Sequence, residues 1–299
     1  MEAERFRGTG PALVTPFTAA GAIDEVGFRA HVDWVIEEGV DYIVPCGTTG
    51  ESVTMSPAEQ AHVIRLAVEQ SDGRVPVLAG AGTNSTREAI DRAEAAVRAG
   101  ADAVLTVSPY YNKPTQEGIF RHYRAVAEAA GVPVVVYNVP GRTSSNIDAE
   151  TTLRLAEVDG IIGIKEASGR MDQIMTVLRD RPDGFLVISG DDAVTFPMMA
   201  MGGDGVISVA GNLVPGPLSE MCRAALAGRR EEALELHFRL LPLMLAIFVE
   251  SSPIPVKAAL EIMGRSPAHH RLPMVGLMAE NLPLLEEALR AAGAIGNDG

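Results

Sequence analysis

Apolar and polar positions along the chain alternate between two rhythms. Short runs rich in β-branched residues recur eight times: "ALVTPF" (12–17), "DYIVPC" (41–46), "VPVLAG" (75–80), "DAVLTV" (102–107), "VPVVVYN" (132–138), "IIGIKE" (161–166), "FLVISG" (185–190) and "GVISVAG" (205–211). Between them lie amphipathic helical segments with their own punctuation. One runs from Ser56 to Gln70 and opens with Ser56, Pro57 and Glu59; another runs from Ser85 to Ala99 and is closed by Gly100; further ones span about 116–130 and 148–157. The strand runs are apolar throughout rather than alternating, as befits parallel strands covered on both faces. The pattern predicts an α/β protein, a TIM (β/α)8 barrel. A doubly wound open sheet is the competing architecture, but "AGAGTNS" stops short of G-x-G-x-x-G and "GTTGES" lacks the lysine of a phosphate-binding loop.

After the eighth run the pattern becomes helical only, with segments near 229–249, 253–263 and 280–292. This predicts a barrel over 1–228 and a C-terminal helical extension over 229–299. No glycine-serine or proline-rich linker separates them, so the extension is expected to pack on the barrel.

A formal net charge of −14, with no Lys/Arg cluster, argues against nucleic acid and for a small-molecule partner. Two cysteines, Cys46 and Cys222, and no ligand spacing among the histidines indicate neither a disulfide framework nor a metal site. "MEAERFRGTG" lacks the apolar core of a signal peptide, and "LLPLMLAIFV" is too short to span a membrane, so a soluble, cytoplasmic protein is expected.

In a barrel of this kind the chemistry sits at the C-terminal ends of the strands. "IIGIKE" carries a buried-reading strand into Lys165, and a desolvated lysine lowers its pKa toward a neutral, nucleophilic amine. "CGTTGES" flanks Thr48 and Thr49 with glycines, a composition that can aim backbone N–H groups and hydroxyls at a carboxylate. "VSPYYNKP" supplies Tyr110 and Tyr111; "VVVYNVPGRT" supplies Tyr137 and Arg142. Taken singly, these read first as a common turn, packing tyrosines, a surface arginine and a lysine reaching to solvent. Taken together on one face, they suit Schiff-base chemistry on a 2-oxo acid. Asp191 and Asp192 read as structural caps, with only the Gly190 backbone retained for the site, and His269 and His270 read as solvated loop residues.

In order and spacing, "CGTTGES", "SPYYNKP", "YNVPGRT", "GIKEASG" and "GVISVAGN" resemble the 4-hydroxy-tetrahydrodipicolinate (dihydrodipicolinate) synthases. These belong to the pyruvate-dependent class I aldolases, as does N-acetylneuraminate lyase. The likeness runs from about Gly8 to about Leu289. It implies an imine between Lys165 and pyruvate, with Tyr137 as proton donor and acceptor. It further implies that Thr48 and Thr49 hold the pyruvate carboxylate and that Thr49 joins a proton relay with Tyr137 and Tyr111. Arg142 would bind the carboxylate of L-aspartate 4-semialdehyde, and the backbone at Gly190 and Ile207 would complete the pocket.

The second carboxylate favours the synthases over the sialic-acid lyases, which typically have serine at the Thr48 position and lack the arginine. The resemblance implies no metal or organic cofactor. It also implies a homotetramer, a dimer of dimers, with Tyr111 reaching across the dimer interface. Lysine-inhibited members use residues matching Ser52, Asn84, Glu88 and Tyr110, but carry histidines where this chain has Pro57 and Gln60, so weak or absent inhibition by lysine is expected. Two other readings are an aldolase or dehydratase of the same family acting on 2-keto-3-deoxy sugar acids, and a non-catalytic barrel that binds a 2-oxo acid.

Overall fold

The structure, a computed structural model, describes residues 3–296. In chain order its first half comprises β1 (Gly8–Pro11), α1 (Glu25–Glu37), α2 (Pro57–Ser71), β2 (Leu78–Gly80), α3 (Thr86–Arg98), β3 (Ala103–Val107), α4 (Gln116–Ala130) and β4 (Val134–Asn138). There follow α5 (Pro140–Thr143), α6 (Ala149–Ala156), β5 (Ile161–Glu166), α7 (Met171–Asp180), β6 (Leu186–Ser189), α8 (Thr195–Ala200) and β7 (Gly205–Ser208). The chain ends in helices only: α9 (Pro215–Leu226), α10 (Arg230–Ala246), α11 (Ile254–Ile262) and α12 (Leu282–Ala291).

The strands form one parallel sheet in the order β1-β7-β6-β5-β4-β3-β2. Its two edge strands are joined through the segment 41–46. Val44 N–H donates to Pro11 at 3.0 Å, Ile43 N–H donates to Pro76 at 3.0 Å, and Leu78 N–H donates to Ile43 at 2.9 Å. Only isolated parallel bridges, Ala12 to Val44 and Ile43 to Val77, are formed there, because Pro11 on the β1 side and Pro45 and Pro76 on the β2 side lack the N–H that a longer ladder needs. The segment therefore departs from the full strand predicted at 41–46.

The first strand also departs from expectation: it is "GTGP" rather than the apolar "ALVTPF" that follows. Gly10 is required because the Tyr42 ring lies where a Cβ at that position would stand.

Successive residues of a strand face opposite ways, and the buried clusters divide accordingly. Ala103, Leu105, Val135, Tyr137, Leu186, Ile188 and Ile207 fill the inner face, while Val104, Val134, Val136 and Val187 pack outward against helices. Helix starts follow the sequence signals. Ser56 caps α2 in a reciprocal box with Glu59, and Ser85, Thr115 and Asp148 cap α3, α4 and α6. The C-terminal helices share one apolar core with β7 and the segment after β1: Leu218, Leu240, Leu243, Val256, Leu260 and Leu285 pack with Val14 and Val206. Among the described residues no helix is long and apolar enough to cross a membrane.

Candidate active site

A cavity of about 470 Å³ opens beyond the C-terminal ends of the strands. Thr48, Thr49, Tyr137, Arg142, Lys165 and Gly190 all line it, so most of the residues singled out in the sequence meet there. Met244, Leu245 and Phe248, at the end of α10 and just past it, form part of its wall, which brings the C-terminal region to the same cavity.

Lys165 lies on β5 directly beside Tyr137 of β4, and its Nζ sits 4.3 Å from the centre of the Tyr137 ring. Only 6% of Lys165 is exposed. Burial pulls its ammonium down to about 7; the Asp192 carboxylate opposes that shift, and the Arg142 charge adds to it. Room for the lysine stem comes from Gly190, where a Cβ would come within 2.8 Å of Lys165 Cε and of Ala167 Cβ.

Glu166, the next residue, points the other way. It accepts hydrogen bonds from Asn138 at 3.1 Å, from Gln173 at 3.2 Å and from the Ser168 N–H at 2.6 Å. The acid beside Lys165 in sequence thus serves the outer face of the sheet.

Tyr137 is 7% exposed, and burial pushes its phenol up to about 12, partly offset by the Arg142 charge and a hydrogen bond from Thr48. The neighbouring hydroxyl is therefore that of Thr48. The turn that carries both threonines starts from Cys46, whose φ of 57° is left-handed. Thr49 is buried and lines the same cavity.

Asp192 is more than a helix cap. It is buried, takes the Ser208 hydroxyl, and accepts from the N–H groups of Val209 at 3.0 Å and Ala210 at 3.2 Å, tying the end of β6 to the segment after β7. Its electrostatic link to Lys165 had no local signal in "SGDDAV". Asp191 is the cap, accepting from Ala193 N–H at 3.0 Å.

Tyr111 does not line this cavity. It is 89% exposed with a left-handed φ of 72°. Ile207 lies deeper, buried on the inner face of the sheet. Of the four residues matched to a lysine-binding site, three divide between two cavities. Ser52 and Tyr110 line the large one, and Glu88 lines a second of about 410 Å³ together with Pro57 and Gln60. Asn84 lines neither and donates to the Tyr110 carbonyl at 3.1 Å. The Gln60 amide is committed to the carbonyls of Ser52 at 2.6 Å and Met55 at 3.2 Å.

His269 and His270, expected to be solvated, are half-buried. Lys257 Nζ donates to the His269 carbonyl at 2.9 Å, and the 265–271 segment folds back over the turn after Thr49. Among the described residues no cluster of three or more His, Cys, Asp or Glu side chains could hold a metal ion.

A parallel α/β sheet that ends in a buried amine, a buried phenol and a glycine-threonine turn around one cavity defines a class of small-molecule enzyme. The dihydrodipicolinate synthetase family model matches residues 5–292, and the chain belongs to that family. It is 52% identical to the 4-hydroxy-tetrahydrodipicolinate synthase of Koribacter versatilis, over 98% of both chains. It is 50% identical to that of Maridesulfovibrio salexigens, over 97% of this chain and 99% of the relative. A solved structure of the chloride-inhibited dihydrodipicolinate synthase from Acinetobacter baumannii, complexed with pyruvate, is similar at a TM-score of 0.95 and 42% identity, covering 97% of this chain and 99% of that one.

Proposed function

We propose that the protein condenses pyruvate with L-aspartate 4-semialdehyde, as a 4-hydroxy-tetrahydrodipicolinate synthase, through an imine on Lys165. The observation that carries this reading is the buried Lys165 amine, pulled to about 7, against Tyr137 in a cavity that also holds Thr48, Thr49 and Arg142. The names of the relatives and the pyruvate held by a neighbouring structure point the same way.

The chemistry follows from the geometry. A neutral Lys165 Nζ attacks the C2 carbonyl carbon of pyruvate, and the oxygen departs as water after proton transfers. Tyr137, held protonated by burial, supplies and recovers those protons, with the Thr48 hydroxyl beside it as the next link. The threonine turn receives the carboxylate. Loss of a C3 proton then gives an enamine whose carbon adds to the semialdehyde aldehyde. The semialdehyde amine finally displaces Lys165 as the ring closes. The imine nitrogen is the electron sink throughout, so the reaction requires no metal or organic cofactor.

Arg142 is the partner for the second carboxylate. It lines the cavity but is exposed, so water screens its charge. Arg142→Ala is therefore expected to lower kcat/KM for the semialdehyde by roughly 1–2 kcal/mol of transition-state stabilisation, about 5- to 30-fold, with pyruvate imine formation unchanged. Steady-state kinetics in the semialdehyde, beside pyruvate trapping, measures both. Equal losses would make Arg142 a structural residue of the strand-four turn.

Several features extend the reading. The bonds that join 41–46 to both sheet edges support a closed eight-stave (β/α)8 barrel, with a barrel region over 1–228 and a C-terminal helical region over 229–299. An exposed tyrosine held in a left-handed conformation fits a residue completed by a second copy, so Tyr111 is assigned to the neighbouring active site of a homotetramer. The chain is assigned to the cytoplasm. Lysine feedback is expected to be weak or absent, since proline and a glutamine whose amide nitrogen is bonded to two backbone carbonyls stand where the inhibited members have histidines. An activity titration giving half-inhibition at submillimolar lysine would contradict this.

The test of function is condensation itself, followed as consumption of both substrates and formation of the cyclic product. Turnover of the pair supports the synthase. Imine formation with pyruvate but no reaction with the semialdehyde would move the assignment to an aldolase of 2-keto-3-deoxy sugar acids.

A further inference from the structure

The turn that carries Thr48 and Thr49 is bracketed by two non-glycine residues in the left-handed region, Cys46 at φ 57° and Glu51 at φ 52°. Each such residue is unfavourable and persists only where its surroundings fix it. On the barrel side, the Thr15 hydroxyl donates to the Gly50 carbonyl at 2.8 Å, and a Cβ at Gly50 would come within 3.0 Å of the Leu13 carbonyl. The other constraint comes from more than 200 positions away in sequence. Lys257 of α11 pairs with the Glu51 carboxylate, and both are 2% exposed. The second Glu51 oxygen accepts the Arg271 N–H at 3.3 Å. Arg271 also donates to the Thr54 carbonyl at 3.0 Å, and Lys257 and Arg271 both lie over the Phe17 ring, at 4.4 and 4.5 Å.

A buried ion pair contributes little to stability compared with an apolar pair of the same size, so stability is a poor account of this one. What it does supply is position, since neither charge can leave the other without standing unpaired in the interior. Lys257 does not line the cavity, so it does not touch substrate. We propose that Lys257 and Glu51 are positioning residues that hold the Thr48–Thr49 turn in the conformation that receives the pyruvate carboxylate, and that the C-terminal helices thereby set the affinity for pyruvate. This inference rests on the pyruvate-imine reading above.

The test uses the full-length protein and its variants Lys257→Met and Glu51→Gln. Borohydride trapping at Lys165 is measured with pyruvate and, separately, with acetaldehyde, which offers the same amine a carbonyl without a carboxylate. The half-saturating pyruvate concentration is expected to rise roughly tenfold or more, from a misplaced carboxylate site. The trapping rate at saturating pyruvate and the rate with acetaldehyde are expected to stay within about threefold of the unaltered protein, because Lys165 itself is untouched.

Parallel loss of pyruvate and acetaldehyde trapping would overturn the inference, because a purely structural role damages both. An unchanged pyruvate half-saturation would overturn it as well. Should a lone buried charge prevent either single variant from folding, the neutral double variant Lys257→Met/Glu51→Gln carries the same two expectations. No pyruvate adduct at Lys165 in the unaltered protein would instead overturn the functional reading, and this inference with it.

Discussion

Lys165→Met is expected to abolish condensation, lowering kcat by at least about 10³-fold, while making the protein more stable. Methionine keeps most of the volume between Tyr137 and the Gly190 backbone but removes the nucleophile. The gain in stability follows from the position of the amine. In the unfolded chain the lysine ammonium titrates near its usual 10.5, whereas in the fold burial pulls it to about 7. The folded state thus binds fewer protons than the unfolded state between those values. The penalty is full below pH 7, shrinks as pH rises through that window and is gone above it.

The variant should therefore exceed the unaltered protein by on the order of 3–5 kcal/mol at pH 6, and by progressively less toward pH 10. Denaturant melts at the two pH values measure this. The same titration predicts that pyruvate trapping by the unaltered protein rises with pH through about 7 and then levels. A stability gain that grew with pH would mean that Lys165 is held as a paired cation.

Tyr137→Phe is expected to lower kcat by about 10²- to 10⁴-fold, the usual worth of a positioned proton donor, with little change in fold. The ring packs against Lys165 and the inner face of the sheet, and phenylalanine retains that packing. What goes is a hydroxyl that burial keeps protonated up to about 12, beside the Thr48 hydroxyl. Without it, the oxygen of the first adduct with Lys165 has no placed acid to help it leave as water. Imine formation should become the slow step, visible as a trapping rate that falls along with turnover. Melting should shift by no more than about 1 kcal/mol, the net value of a single hydrogen bond. Turnover within threefold of the unaltered protein would assign the proton transfers to another group.

Much of this was legible from the chain, and the exceptions have physical causes. Lys165, Tyr137 and Arg142 could be placed because each ends or follows a β-branched run, and strand ends in such a sheet converge. The helix starts were legible because Ser56 and Glu59, or Asp148, are local signals. β1 was not, because its glycines carry no β-forming side chains. The strand exists through its partner β7 and the Tyr42 ring packed on Gly10.

That Thr48 is the threonine hydrogen-bonded to Tyr137 was not legible, since adjacent threonines in a glycine-flanked turn carry no sequence signal for which hydroxyl faces the phenol. Asp192 read as a cap because its partners, Ser208 to Ala210, lie on the next strand and its loop. His269 and His270 read as solvated because the glutamate that draws in their segment, Glu51, lies far off in sequence.

The chemistry proposed for this site turns on one bond, between pyruvate C2 and Lys165 Nζ. Incubation with pyruvate, reduction with borohydride and peptide mass spectrometry would find it. A single reduced pyruvyl adduct is expected on Lys165, absent from Lys165→Met. A folded protein that gives no adduct, or one only on a surface lysine such as Lys113, would contradict it.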